Sequence, residues 1–119
     1  MSSRRSTVEA YMDGFRRSDH EQILTCLTDD VVWDLPGFRH LEGKEAFDGE
    51  IENEAFTGSP LLTEDRVLED GDVVIVTGTG EGRFKTGEAH RFAFCDLFTF
   101  RDELICRVES YVVPLSGAA

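Results

Sequence analysis

An acidic side chain set among phenylalanines is the feature of this chain best suited to proton chemistry. Asp96 lies within Phe92-Ala93-Phe94-Cys95-Asp96-Leu97-Phe98-Thr99-Phe100, the most apolar stretch of the sequence. In a strand, side chains alternate between two faces, so Asp96 shares one face with Phe92, Phe94, Phe98 and Phe100. Arg91, Ala93, Cys95, Thr99 and Arg101 take the other. A carboxylate on an apolar face carries a desolvation cost unless it is paired, hydrogen-bonded or protonated. Such groups gather where binding or catalysis needs them. The alternative for Asp96 is a structural ion pair with Arg83 or Arg107, or a register that turns it outward.

Other elements must hold that strand in place. Ser6-Thr7-Val8-Glu9 has the form of a capping box, opening a helix with Val8, Tyr11, Met12 and Phe15 on one stripe. Ser18-Asp19-His20-Glu21 is a second capping box, opening a short helix that turns Ile23, Leu24 and Leu27 inward and ends at Thr28-Asp29-Asp30. Val31-Val32-Trp33-Asp34-Leu35 reads as a short strand stopped by Pro36-Gly37. A third helix begins at Gly43, places Phe47, Ile51 and Ala55 on one face, and closes at Gly58-Ser59-Pro60. Strands then fit residues 61–69, 72–84, 88–101 and 103–113, joined at Asp70-Gly71, Thr86-Gly87 and Arg101-Asp102.

Helices followed by a run of long antiparallel strands is the α+β order. The expected fold is one domain over residues 1–119, with N-terminal helices packed in the concave face of a strongly curved, mostly antiparallel sheet. That packing leaves a cone-shaped cavity, with Asp96 pointing into it. Gly78-Thr79-Gly80-Glu81-Gly82 is not a phosphate loop, since no helix follows to aim N–H groups at an anion. These glycines let the sheet bend or admit close packing.

Composition narrows the partners. A formal net charge of -12 argues against nucleic acid and anionic membranes. The apolar runs are too short to span a bilayer. Met-Ser-Ser-Arg-Arg-Ser leads into an amphipathic helix without a signal-peptide core, so a cytoplasmic location is expected. Cys26, Cys95 and Cys106 are far apart and read as reduced core residues. His20, His40 and His90 have no metal-ligand spacing, so no metal is expected.

At this point the chain resembles the nuclear-transport-factor-2-like (cystatin-like α+β cone) superfamily, and within it the SnoaL-like proteins. Three stretches carry the resemblance. Val31 to Gly37 with Gly43-Lys44-Glu45-Ala46-Phe47 is similar to the first strand, turn and third-helix start of that family. Asp96 to Asp102 resembles the penultimate strand and its turn, and Ile105 to Tyr111 the last strand. The superfamily holds isomerases, cyclases, hydrolases, dehydratases and non-catalytic binders, so the resemblance implies fold more than activity.

By that resemblance Asp96 matches the strand acid that ketosteroid isomerases keep protonated, and the aspartate that SnoaL-type polyketide cyclases use as acid/base. Tyr11 matches the isomerase's first-helix tyrosine. The isomerase base falls on Asp34 when aligned from the Pro-Gly turn, and on Leu35 when aligned from the helices. A one-residue slip reverses the face a strand residue occupies. Phe94 lies two residues before Asp96, where limonene-epoxide-hydrolase-like members carry arginine, which argues against epoxide hydrolysis by that route.

The catalytic candidates are therefore Asp96, Tyr11 and Asp34, and the substrate-binding candidates are Phe15, Trp33, Phe47, Phe56, His90, Phe94, Phe98 and Val108. His90 sits at the cavity mouth or at a solvated strand start, and His40 flanks the entrance in a loop. A cavity of this make-up suits a small, mostly apolar ligand with one polar handle. One reading is an enzyme acting without a cofactor on a carbonyl compound through an enol. Another is a non-catalytic binding or dimerisation module. The proton acceptor decides between them, since an isomerase needs one facing Asp96. Either reading carries a homodimer, formed by the outer sheet face with Ala93, Leu97, Ile105, Tyr111 and Val113.

Overall fold

The computed structural model describes residues 3–51 and 56–115, with the backbone alone for Ser3 and residues 56–60. Helices α1 (Ser3–Arg17) and α2 (His20–Leu24) precede strands β1 (Leu27–Leu35) and β2 (Arg39–Glu42), helix α3 (Lys44–Glu50), and strands β3 (Phe56–Asp70), β4 (Val73–Phe84), β5 (Ala89–Arg101) and β6 (Leu104–Leu115). Their order in the sheet is β2-β1-β6-β5-β4-β3. Strands β3 to β6 form the expected antiparallel meander, while β1 lies parallel to β6, so the sheet is mixed. The α+β reading holds. Among the described residues no helix is long and apolar enough to cross a membrane.

Tight turns set the strand registers. Gly71 (φ 59°) and Asp102 (φ 57°) supply the left-handed residues that let β3–β4 and β5–β6 reverse in two residues. The β5–β6 register places Asp96 opposite Ser110 and Phe98 opposite Val108. One extra residue, Cys106, is accommodated where Thr99 pairs with Arg107 and Phe100 with Ile105. This bulge turns Ile105 into the core, fully buried, rather than onto the outer face expected for it.

Helix α1 lies over the concave face and is tied down at both ends. Near its start Arg4 bonds Asp72 and the carbonyls of Gly71 and Asp102. Near its end Arg16 donates to the Leu62 carbonyl at 3.0 Å and pairs with Glu64 at 2.7 Å. Between them Val8, Tyr11 and Met12 bury against Phe47, Phe98 and Val108.

Several expected boundaries move. Helix α1 begins at Ser3, so Ser6-Thr7-Val8-Glu9 lies inside it and opens nothing. Asp19, not Ser18, caps α2 by accepting from the Gln22 amide at 3.1 Å. Thr28-Asp29-Asp30 belongs to β1, at the register shift between Leu27 and Val32, where Arg101 grips both oxygens of Asp30. Residues 37–43 are not a plain loop: Arg39–Glu42 pairs with β1 as a short polar strand. Helix α3 ends at Glu50, Gly58-Ser59-Pro60 falls within β3, and Ala55 lies outside the described residues.

The glycines of β4 admit close packing, as expected. A Cβ on Gly80 would lie 2.2 Å from the tip of the Phe92 ring. A Cβ on Gly78 would lie 2.9 Å from the Phe94 ring and also 2.1 Å from the Thr63 backbone carbonyl. Each glycine faces its phenylalanine across the β4–β5 ladder. A backbone atom cannot step aside, whereas a ring can rotate. Gly78→Ala is therefore expected to destabilise the fold by about 1–3 kcal/mol. Gly80→Ala should cost clearly less. Urea unfolding midpoints of the two variants check the order.

Candidate functional site

A cavity of about 170 Å³ opens between α1 and the concave sheet face. Helix α1 contributes Tyr11, Met12 and Phe15; β1 gives Trp33 and Leu35, and β3 gives Leu62. Strand β5 adds Phe92, Phe94 and Asp96, and β6 adds Ser110 and Val112. Its size is close to the roughly 150 Å³ of an engineered apolar cavity that takes up benzene. The space suits a one-ring molecule.

Among the described residues Asp96 is the one carboxyl of this lining, and it is half-buried where it fronts the cavity. Burial pushes its pKa up to about 7, against a hydrogen bond from Ser110 that favours the ionised form. The direction of that hydrogen bond is fixed from behind. Trp33 Nε1 donates to Ser110 Oγ at 3.0 Å, and an indole N–H can only donate. Ser110 must accept there, which leaves its own proton for Asp96. Both the indole and the hydroxyl are thereby satisfied inside the core.

Tyr11 is 2% exposed and meets Phe98 edge-on at 4.9 Å. Burial, and then the Asp96 charge, hold its hydroxyl well above the usual phenol range. It stays a neutral donor on the same cavity as Asp96. These two expected residues are brought together.

The third is not. Asp34 alternates with Trp33 and Leu35, both of which line the cavity, and so faces the outer side of the sheet. There it bonds His40 Nδ1 and Arg107 Nη2. The His40 hydrogen bond, followed by the Arg107 charge, holds Asp34 below the usual carboxylate range. His40 also meets Glu42 at 2.9 Å through its other ring nitrogen, so both nitrogens donate and its pKa rises. His40 thus belongs to an outer ion cluster and not to the cavity entrance. Asp34 as base is corrected by strand parity. Its neighbour Leu35 takes the inward position instead.

The expected binding residues divide by depth. Phe15, Trp33 and Phe94 line the cavity. Phe47 stacks on Trp33 at 4.3 Å from behind, and Phe98 and Val108 are fully buried beneath, so these three support the wall without forming it. His90 stacks on Phe92 at 5.5 Å outside the lining. The Phe56 side chain lies outside the described residues. Ser110, Leu35, Met12, Leu62 and Val112 were not among the candidates. Ser110 was findable, since pairing β5 with β6 across the Asp102 turn puts it opposite Asp96, but only with the bulge at Cys106 counted. Among the described residues no group of three His, Cys, Asp or Glu side chains could hold a metal ion.

The SnoaL-like domain profile matches residues 8–108. The chain belongs to the SnoaL-like domain family. Among curated proteins none matches it in sequence. Similar solved structures include an NTF2-like protein of unknown function from Burkholderia pseudomallei K96243, 22% identical over 92% of this chain and 90% of that one, with TM-score 0.86. Another is a candidate polyketide cyclase from Xanthomonas campestris pv. campestris, 24% identical over 92% and 89%, with TM-score 0.84. A third is TerC, co-crystallised with polyporic acid, 27% identical over 92% and 90%, with TM-score 0.83. These likenesses establish the NTF2-like fold of this SnoaL-like domain.

The raised Asp96 pKa has a sign that can be tested. Between the ordinary aspartate range and about pH 7, the folded domain keeps a proton that the unfolded chain has lost. Stability must then fall as pH rises through that window and level off above it. At about 1.4 kcal/mol per pH unit, the loss reaches at most roughly 4 kcal/mol, less whatever cavity water screens. Asp96→Asn should remove this slope, and Ser110→Ala should move the Asp96 titration above about 7. Carboxyl NMR titration and urea unfolding across pH check both.

Proposed function

We propose that this SnoaL-like domain binds a small, mostly apolar carbonyl compound and turns it over, without a cofactor, through an enol or enolate. The observation that carries the reading is Asp96 itself, a cavity carboxyl on the sheet with a pKa of about 7, lining the same cavity as the neutral Tyr11 hydroxyl of α1. Near neutrality such a group is part carboxylate and part acid, so it can take a proton from the carbon beside a carbonyl and return it elsewhere. Tyr11 would donate to the oxygen as charge develops there. Trp33 and Ser110 hold the Asp96 carboxyl in place for both steps.

Asp34 and His40 face outward and His90 lies outside the lining, so among the described residues no separate base supports a two-residue isomerase mechanism. The reading is a single acid/base, as the resemblance to polyketide cyclases implies. TerC, 27% identical to this chain, was co-crystallised with polyporic acid, which supports an organic ligand for a protein of this fold. Leu35 in the inward position favours the second reading, a binding module without turnover.

Deuterium exchange at the α-carbons of cyclohexanone in heavy water, followed by NMR, tests the reaction. The exchange rate should rise with pH through about 7 and then level off. Asp96→Asn should lower it by at least about 10²-fold, and Tyr11→Phe by about 10²-fold. Binding of the ketone with exchange no faster than in buffer would leave the binding module.

The same reading includes a homodimer through the outer face, where Leu68, Tyr111 and Val113 are 51%, 45% and 60% exposed. Sedimentation velocity should give twice the chain mass, and Val113→Glu should return the monomer.

A further inference from the structure

The cavity lining sets a charge preference as well as a size. Among the described residues its polar groups are the Asp96 carboxyl, the Tyr11 and Ser110 hydroxyls and the Trp33 indole, and no basic side chain is part of it. Basic residues on the surrounding elements are engaged elsewhere. On α1 Arg16 is held by Leu62 and Glu64, and on β6 Arg107 by Asp34 and Glu109. On β5 Arg91 pairs with Glu81 and Arg101 with Asp30, while His90 lies against Phe84 and Phe92. On β4 Arg83 donates to the Gly87 carbonyl. Ser110 hydrogen-bonds Asp96, and among the described residues no cation pairs with it.

Around this carboxyl stand five aromatic side chains, Tyr11, Phe15, Trp33, Phe92 and Phe94. The tips of Phe92 and Phe94 lie over Gly80 and Gly78, and Phe47 covers one face of Trp33 at 4.3 Å. All three rings border the cavity, and His90 stacks on Phe92 at 5.5 Å outside the lining. A cation is drawn to the face of an aromatic ring, and more strongly where water is excluded. A carboxylate beside the rings adds a charge-assisted hydrogen bond. An anion would meet the ring faces and Asp96 together, both unfavourable. The net charge of -12 over the whole chain also draws cations toward the surface.

We infer that the cavity is an aromatic cage for a small protonated amine, its ammonium group seated against Asp96 and beside the rings of Trp33, Phe92 and Phe94. This shares the cavity with the carbonyl chemistry proposed above but does not rest on it, since no enol is involved. The ammonium group would supply the cation that the cavity wall lacks. The size limit points to an amine carried on one ring or on a short apolar chain.

Benzylamine, benzyl alcohol and benzoate have similar shapes and differ in charge, which makes them suitable probes. Each would be titrated into the whole chain at about pH 8 and followed by amide NMR. Asp96 is then mainly carboxylate, the amine is protonated and Tyr11 is neutral. Benzylamine should bind about tenfold tighter than benzyl alcohol or better, with benzoate weakest. The preference should shrink as pH falls through about 7 and vanish in Asp96→Asn, whose spectrum reports that it is folded. Equal or tighter binding of the alcohol, no binding of the amine, or a preference that survives Asp96→Asn overturns the inference. Cyclohexanone exchange on the same samples separates the two readings. Asp96-dependent exchange without an amine preference leaves the carbonyl chemistry and removes the cage; an amine preference without exchange does the reverse.

Discussion

The pairing of β5 with β6 is the constraint on which the site depends. It sets Asp96 opposite Ser110 on the concave face, and Ser110 within reach of the Trp33 indole. Because the indole can only donate, the hydroxyl accepts from it and donates its own hydrogen bond to the carboxyl. A neutral hydrogen bond of this kind lowers the cost of ionising Asp96 without cancelling it. A cationic partner in place of Ser110 would have pulled the group into the ordinary carboxylate range. The choice of a hydroxyl over an arginine or lysine at this position is what leaves Asp96 able to exchange a proton near neutrality.

The rest of the fold keeps that face apolar and partly open. Gly78 and Gly80 give up their side chains so that Phe94 and Phe92 can lie down over β4, which leaves room above them. Arg4 and Arg16 span α1 across the sheet and hold Tyr11 over Phe98 rather than letting the helix settle deeper. Space is therefore maintained by two devices, absent side chains below and a tethered helix above. Filling either would convert the site into ordinary core.

Much of this was legible in the sequence, and the limits have physical causes. Alternation along Phe92–Phe100 was enough to place Asp96 inward, because the stretch is long and its polar residue is isolated. Tyr11 followed from helical spacing with Val8, Met12 and Phe15. The helix starts were less legible. Capping signatures describe what a helix start can use, not where tertiary contacts extend the helix, and Arg4 draws α1 back to Ser3. Strand β2 was invisible because Arg39-His40-Leu41-Glu42 has no apolar alternation and exists through its pairing with β1. Ile105 was misplaced by a bulge that no local pattern announces.

The contrast between Asp34 and Asp96 shows how little separates a structural carboxylate from a reactive one. Both are strand aspartates flanked by large apolar residues, Trp33 and Leu35 for one, Leu97 and the phenylalanines for the other. One lies on the outer face, where His40 and Arg107 keep it ionised. The other lies on the inner face, where burial outweighs a single neutral hydrogen bond. Strand parity alone makes the difference. It also decides what the cavity can do, because the same parity that expels Asp34 brings in Leu35, an apolar residue that can take no proton. Among the described lining residues Asp96 is therefore the one carboxyl, and the reading proposed for this cavity asks that single group to serve each proton step in turn.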